Sequence, residues 1–126
     1  MPAVDTDVLV RLVARDDAGQ TASAEEFVAN GVWVSVLTLA EAVWVLGTKY
    51  GHTAASQFAV IEMFLQSESL VLEHSEAVAA ALDLFRSHPK LGFSDCLILE
   101  LARKAGHLPL GTFDRSLGSV QGTQRL

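Results

Sequence analysis

The chain has 126 residues, half of them hydrophobic, and a formal net charge of −6. The length is typical of one domain, so residues 1–126 are predicted to form a single domain. The acidic balance argues against simple binding of nucleic acid through a basic surface, but it does not exclude a nuclease that reaches phosphates through bound cations.

Short strands and helices are predicted to alternate along the chain. In chain order, the patterns predict a strand at 3–5, a helix at 6–14 capped by Thr6 or Asp7, a polar loop at 15–20, a helix at 22–30, a strand at 32–36, and helices at 38–50 and 53–66. The patterns then predict a strand at 70–72, a helix that begins at 75 and stops before Pro89, and a helix that is capped by Ser94 or Asp95 and runs to 104. The last predicted elements are a strand end at 108–112 and a helical turn at 114–117. Residues 120–126 show no clear pattern. The alternation indicates α/β units with a mostly parallel sheet, in which sites form beyond the carboxyl ends of the strands.

Four acidic residues occupy such positions. Asp5 ends the first predicted strand, Glu41 lies in the first turn of a helix after the second, Asp95 opens a helix, and Asp114 follows a later strand. In a parallel α/β sheet these positions face one edge, so the four carboxylates are predicted to gather there.

Each acid also has a purely structural explanation. Asp95 is a good helix cap, Glu41 has capping-box spacing from Thr38, and Asp114 suits a turn. Glu41, however, is flanked by apolar residues, and a charged residue without a function is unexpected in such a segment. Clustered carboxylates resist ionisation unless a cation joins them, and Mg²⁺ binds one or two carboxylates plus waters and substrate phosphate. The pattern therefore favours a metal site for phosphodiester hydrolysis.

Four segments strengthen this interpretation. Residues 4–11 (VDTDVLVR), 37–41 (LTLAE), 93–102 (FSDCLILELA) and 111–114 (GTFD) resemble the four motifs of PIN-domain ribonucleases, and within them the VapC-type toxins of toxin–antitoxin pairs. The resemblance implies a three-layer α/β/α sandwich with a mostly parallel central sheet. It also implies Mg²⁺- or Mn²⁺-dependent RNA cleavage, homodimerisation and inhibition by a small antitoxin protein.

The resemblance also assigns residue roles. It makes Asp5 and Asp95 the direct metal ligands, with Glu41 and Asp114 completing the acidic pocket directly or through waters. Thr112 stands where the family often has a supporting hydroxyl. The chain departs from the family at two positions: Asp7 stands where Asn is more frequent, and Ser116 stands where many members carry another acid.

Several basic residues are candidates for RNA contacts. Arg115, beside Asp114, is the best candidate for a substrate contact; the other basic candidates are Arg11, Arg15, Arg86 and Lys90. Trp33 and Trp44 are predicted to lie in the core or at an interface rather than to stack on bases.

Three alternatives remain open. A haloacid-dehalogenase-like phosphatase would use Asp5 as nucleophile and Asp7 as acid, but 111–114 supplies only one of the later acids it needs. A receiver-type signalling domain needs an acceptor aspartate near mid-chain, and none occurs between Asp17 and Asp83. The third alternative is a PIN fold that binds without cutting.

Cellular location is suggested by what the sequence lacks. The N-terminus has no basic region followed by an apolar one, and the longest apolar stretch, 32–46, is interrupted and shorter than the roughly 20 residues of a membrane span. The single cysteine, Cys96, excludes an intramolecular disulfide, and its apolar neighbours predict a core residue. A cytoplasmic protein with no membrane association is expected.

Overall fold

Two compact units make up the chain, Met1–Ser75 and Glu76–Leu126, in a computed structural model that describes all 126 residues. Each unit contains helices and one pair of short parallel strands. The predicted α/β class with parallel strands is therefore confirmed. That residues 1–126 act as a single domain stays a prediction.

The first unit is built on a parallel strand pair. Its helices are α1 (Thr6–Ala14), α2 (Ala18–Val28), α3 (Val36–Tyr50) and α4 (Ala54–Gln66), and its strands are β1 (Val32–Val34) and β2 (Leu70–Leu72). Val32 pairs with Leu70, and the outer residues of both strands are buried while the middle ones are exposed. The predicted strand at 3–5 is reduced to one bridge, Ala3 with Trp33. Helix α1 packs against α2 and α3.

Helix starts in this unit differ from the prediction because other side chains provide the caps. Asp5, not Thr6 or Asp7, caps α1, and Asp17 caps α2, so the predicted loop at 15–20 is wrong from Ala18 onward. Ser35 caps α3 by accepting a hydrogen bond from the Thr38 N–H at 3.1 Å. The predicted strand at 32–36 therefore ends early, and α3 begins two residues before the predicted start.

The second unit carries the other strand pair. Its helices are α5 (Ser75–Ser87), which begins at the last residue of the first unit, and α6 (Phe93–Ala105). Its strands are β3 (Leu110–Thr112) and β4 (Thr123–Arg125), and short 3-10 helices span Pro89–Leu91 and Leu117–Ser119. Strand β3 is parallel to β4, which lies in the segment that showed no pattern. The predicted helical turn at 114–117 is shifted to Leu117–Ser119.

The ends of α6 test two cap predictions. Gly92 occupies the position before the helix, and no side chain caps it, so the prediction that Ser94 or Asp95 caps α6 is wrong. Gly106 ends the helix with a φ of 84°, a backbone conformation that favours glycine. Asp95 therefore makes no cap bond that would explain its presence in the first turn.

Burial tests the predictions for Cys96 and the two tryptophans. Cys96 is fully buried, and burial raises the pKa of its thiol to about 12, which confirms it as a core residue. Trp33 and Trp44 are 39% and 61% exposed, so neither belongs to the core. None of the helices combines the length and the apolar character that crossing a membrane requires.

Candidate active site

Asp5 is held at the point where the chain enters α1. The preceding residue, Val4, donates its N–H to the carbonyl of Trp33 at 3.3 Å, which ties this segment to β1. The Asp5 carboxylate accepts a hydrogen bond from the Thr6 N–H at 2.7 Å through Oδ1. The side chain is exposed, so its charge faces solvent from a fixed backbone position.

Glu41 is joined to the start of α1 through a hydroxyl group. The Thr6 Oγ1 donates to Glu41 Oε2 at 3.0 Å, across 35 residues of sequence. Glu41 does not take part in a capping box, because Ser35 caps α3. Its side chain is exposed while Ala42 and Val43 are buried, so the apolar neighbours that made it look misplaced lie on another face of the helix. Glu41 is distinguished instead by its hydrogen bond to Thr6.

A pocket of about 310 Å³ lies between α1 and α3 beside these acids. Its polar lining contains three carboxylates and two cationic groups, and the complete lining is Asp5, Thr6, Asp7, Val10, Arg11, Glu41, Val45, Lys49 and Tyr50. The pocket therefore offers hard oxygen ligands together with groups that can bind anions.

Arg11, one of the two cations, is held by other protein groups. Its guanidinium donates to Asp16, to the Tyr50 hydroxyl at 3.1 Å and to the Gln20 side chain at 2.8 Å. The hydrogen bond with Tyr50 and the charge of Asp16 raise the pKa of Arg11. A hydrogen bond from Tyr50 lowers the pKa of Asp16, and Arg11 lowers it further. Arg11 thus organises α1, α2 and α3 around a fixed charge.

Asp95 and Asp114, in the second unit, affect each other electrostatically. Asp95 lies half-buried in the first turn of α6. Burial raises the pKa of its carboxyl, and the negative charge of Asp114 raises it further. A half-buried carboxylate beside a second negative charge is a position that a bound cation would stabilise.

Asp114 is fixed by the turn that follows β3. Thr112 Oγ1 accepts a hydrogen bond from the Asp114 N–H at 3.0 Å, and Asp114 Oδ1 accepts one from the Leu117 N–H at 2.7 Å. The turn-residue explanation of Asp114 is therefore confirmed. One carboxylate oxygen caps the turn, and the other remains for a second partner.

The four predicted acids thus fall into two groups. Asp5 and Glu41 both form hydrogen bonds with Thr6, and the charge of Asp114 contributes to the raised pKa of Asp95. No group of three or more histidine, cysteine, aspartate or glutamate side chains is arranged to hold a metal ion. Each pair nevertheless supplies the type of ligand that a hard divalent cation takes, because Mg²⁺ uses one or two carboxylates and takes its other ligands from water and phosphate. That all four acids serve one site stays a prediction.

Several contributors to the first group were not singled out from the sequence. The sequence pattern predicts only a capping role for Thr6 and no role at the site for Lys49 or Tyr50. Lys49 follows Glu41 by eight residues on one helix, and this spacing places both residues toward the same side of the helix. The spacing alone could therefore have indicated that Lys49 lies near Glu41. Arg115 and Ser116 are exposed in the turn after Asp114, and the substrate contact of Arg115 stays a prediction.

A family model described as PIN domain matches residues 3–122, a range that includes all four acidic positions. No curated protein and no solved structure matches the chain.

Proposed function

Since the chain belongs to the PIN-domain family, we propose that it is an endoribonuclease that hydrolyses RNA phosphodiesters with Mg²⁺ or Mn²⁺. PIN domains are generally nucleases and generally use divalent metals. The observation that carries the proposal is the half-buried position of Asp95 near Asp114, because burial and the Asp114 charge both raise the pKa of Asp95 and a bound cation would offset both effects.

In the first unit, we assign Asp5 as a metal ligand and Glu41 as its partner. The Thr6 N–H holds one Asp5 oxygen, and the Thr6 hydroxyl holds one Glu41 oxygen, so one residue orients both carboxylates. Such oriented ligands lose little conformational freedom when an ion binds.

In the second unit, Asp95 is the other proposed metal ligand. Thr112 holds the backbone of Asp114, which in turn places its carboxylate near enough to affect Asp95. A divalent cation, when bound by these acids, would neutralise phosphate charge and activate the attacking water. The negative charge of the chain then becomes compatible with a polyanionic substrate.

A cleavage assay tests this proposal. Purified protein is incubated with single-stranded RNA, or with DNA of the same sequence, in Mg²⁺, Mn²⁺ or EDTA. Cleavage of RNA with either metal, and none in EDTA, is expected because the acids need a cation to approach phosphate. Internal products would identify an endonuclease. Cleavage that persists in EDTA, or that is confined to DNA, would contradict the proposal.

We further propose that the protein is the toxin of a toxin–antitoxin pair and forms a homodimer. The motif resemblance to VapC-type toxins supports the first part. Exposed apolar side chains support the second, since large apolar groups on a surface often mark protein contacts; they include Phe27, Leu37, Trp44 and Met63.

Two measurements test the partner proposals. Light scattering at micromolar concentration is expected to give twice the mass of the chain, and a monomer there would contradict the dimer. Expression is expected to arrest growth, and co-expression of a small neighbouring gene to restore it. Toxicity that no neighbouring gene relieves would contradict the antitoxin proposal.

The family match does not favour a haloacid-dehalogenase-like phosphatase. A PIN fold that binds without cutting remains the other interpretation. It predicts that RNA binds and stays intact under every metal condition of the cleavage assay.

A further inference from the structure

Lys49 is the second cationic group of the pocket that contains Asp5 and Glu41. It is exposed in the last turn of α3, and it forms no ion pair there, in contrast to Arg11, whose guanidinium is bonded to Asp16. The pocket therefore presents one ammonium group whose positive charge is not already matched by a partner.

We propose that Lys49 binds a backbone phosphate of the nucleic-acid strand, adjacent to the phosphate that is cut. This inference rests on the proposed nuclease function and adds a substrate-binding residue to it. The chain carries only nine lysines and arginines against 15 acidic residues, so a strand near Asp5 and Glu41 meets mainly repulsion. A cation in the same pocket offsets that repulsion locally.

The position of Lys49 along α3 determines which phosphate it reaches. Lys49 follows Glu41 by eight residues, which places their Cα atoms about 12 Å apart along the helix axis. That separation exceeds the size of one phosphate group, so Lys49 contacts a neighbour of the scissile phosphate. A lysine ammonium is a point charge on a flexible stem, and it holds the strand in position without selecting bases.

The experiment compares Lys49→Gln with Lys104→Gln, each in the Asp95→Asn background to limit cleavage. Lys104 is the control because it lies in the last turn of α6, as Lys49 lies in the last turn of α3, and both variants lose the same charge. Lys104 lies 3.6 Å from Glu76, but such an exposed ion pair contributes little to stability. The probe is a fluorescein-labelled single-stranded RNA of mixed sequence in Mg²⁺, checked on a gel for integrity. Its affinity is measured between 50 and 200 mM salt.

Loss of one phosphate contact reduces the slope of log affinity against log salt by about 0.7 for a single strand. The factor by which affinity falls over this fourfold salt range is therefore expected to be about 2.6 times smaller for the Lys49→Gln protein than for its parent. Lys104→Gln should keep the parental slope. In the otherwise native protein, Lys49→Gln should raise KM for the long RNA and leave kcat unchanged.

Two results would overturn the inference. One is an unchanged salt slope in Lys49→Gln, and the other is an equal change in both lysine variants, which would show only an effect of total charge. Failure of the nuclease proposal is recognised separately, by the absence of RNA cleavage in the native protein. Native protein that cuts nothing, while Lys49→Gln still lowers the slope, would leave a nucleic-acid site without cleavage.

Discussion

Asp5→Asn and Asp95→Asn are each expected to reduce RNA cleavage by at least about a hundredfold. Mutation of groups that merely support a metal ligand typically costs ten- to a hundredfold, so loss of a ligand itself should cost no less. Asparagine keeps the size of the side chain and an oxygen that can accept the Thr6 N–H. The substitution at Asp5 therefore removes the charge while leaving the start of α1 intact.

Asp83→Asn provides the control for that experiment. Asp83 is exposed on α5, so this variant makes the same charge change outside the candidate site. Initial rates are measured on one labelled RNA at saturating Mn²⁺, with circular dichroism to verify folding. Unimpaired cleavage by folded Asp5→Asn protein, or an equal loss in Asp83→Asn, would contradict the assignment.

The sequence predicted those features that depend on local interactions. Helix α4 begins directly after Thr53, whose hydroxyl accepts from the Ser56 N–H, as the preference of threonine for caps indicates. Strand β2 coincides with its short apolar run at 70–72, and α6 ends at Gly106 as predicted. In each case the residues that determine the boundary lie within a few positions of it.

Features that depend on distant contacts were missed. Strand β4 consists of Thr123–Arg125, which has no strand-like pattern, and its conformation depends on pairing with β3. The bond between Thr6 and Glu41 joins residues 35 positions apart, and nothing local to either residue indicates it. The four acids were selected from their positions at strand and helix ends and from the family motifs, and their role stays a prediction, whereas the burial argument for Glu41 and the capping arguments for Glu41 and Asp95 were wrong.

Millimolar Mn²⁺ is expected to raise the melting temperature of the native protein by roughly 5–15 °C. A ligand that binds only the folded state stabilises it by about 2.7 kcal/mol at a hundredfold excess over its Kd. The readout needs no substrate, so it tests the metal site independently of cleavage. Asp95→Asn should gain much less from Mn²⁺, because an amide is a poorer ligand for a hard cation than a carboxylate.

Without metal, Asp95→Asn should melt no lower than the native protein at neutral pH. Burial and Asp114 raise the pKa of Asp95 in the folded state, so the fold binds this proton more tightly than the unfolded chain does. The contribution of Asp95 to stability is therefore lost as the pH rises through its raised pKa, and asparagine avoids that loss. Asp95 also makes no cap bond whose removal would cost stability.

Asp83→Asn is again the comparison, since it should keep the full Mn²⁺ response. All melting curves are recorded at matched ionic strength, because salt alone screens surface repulsion in a chain of net charge −6. If Asp95 and Asp114 had only structural roles, Mn²⁺ would shift the native protein and the two variants equally or not at all. Either result would contradict a metal site at these carboxylates, even if RNA cleavage were observed.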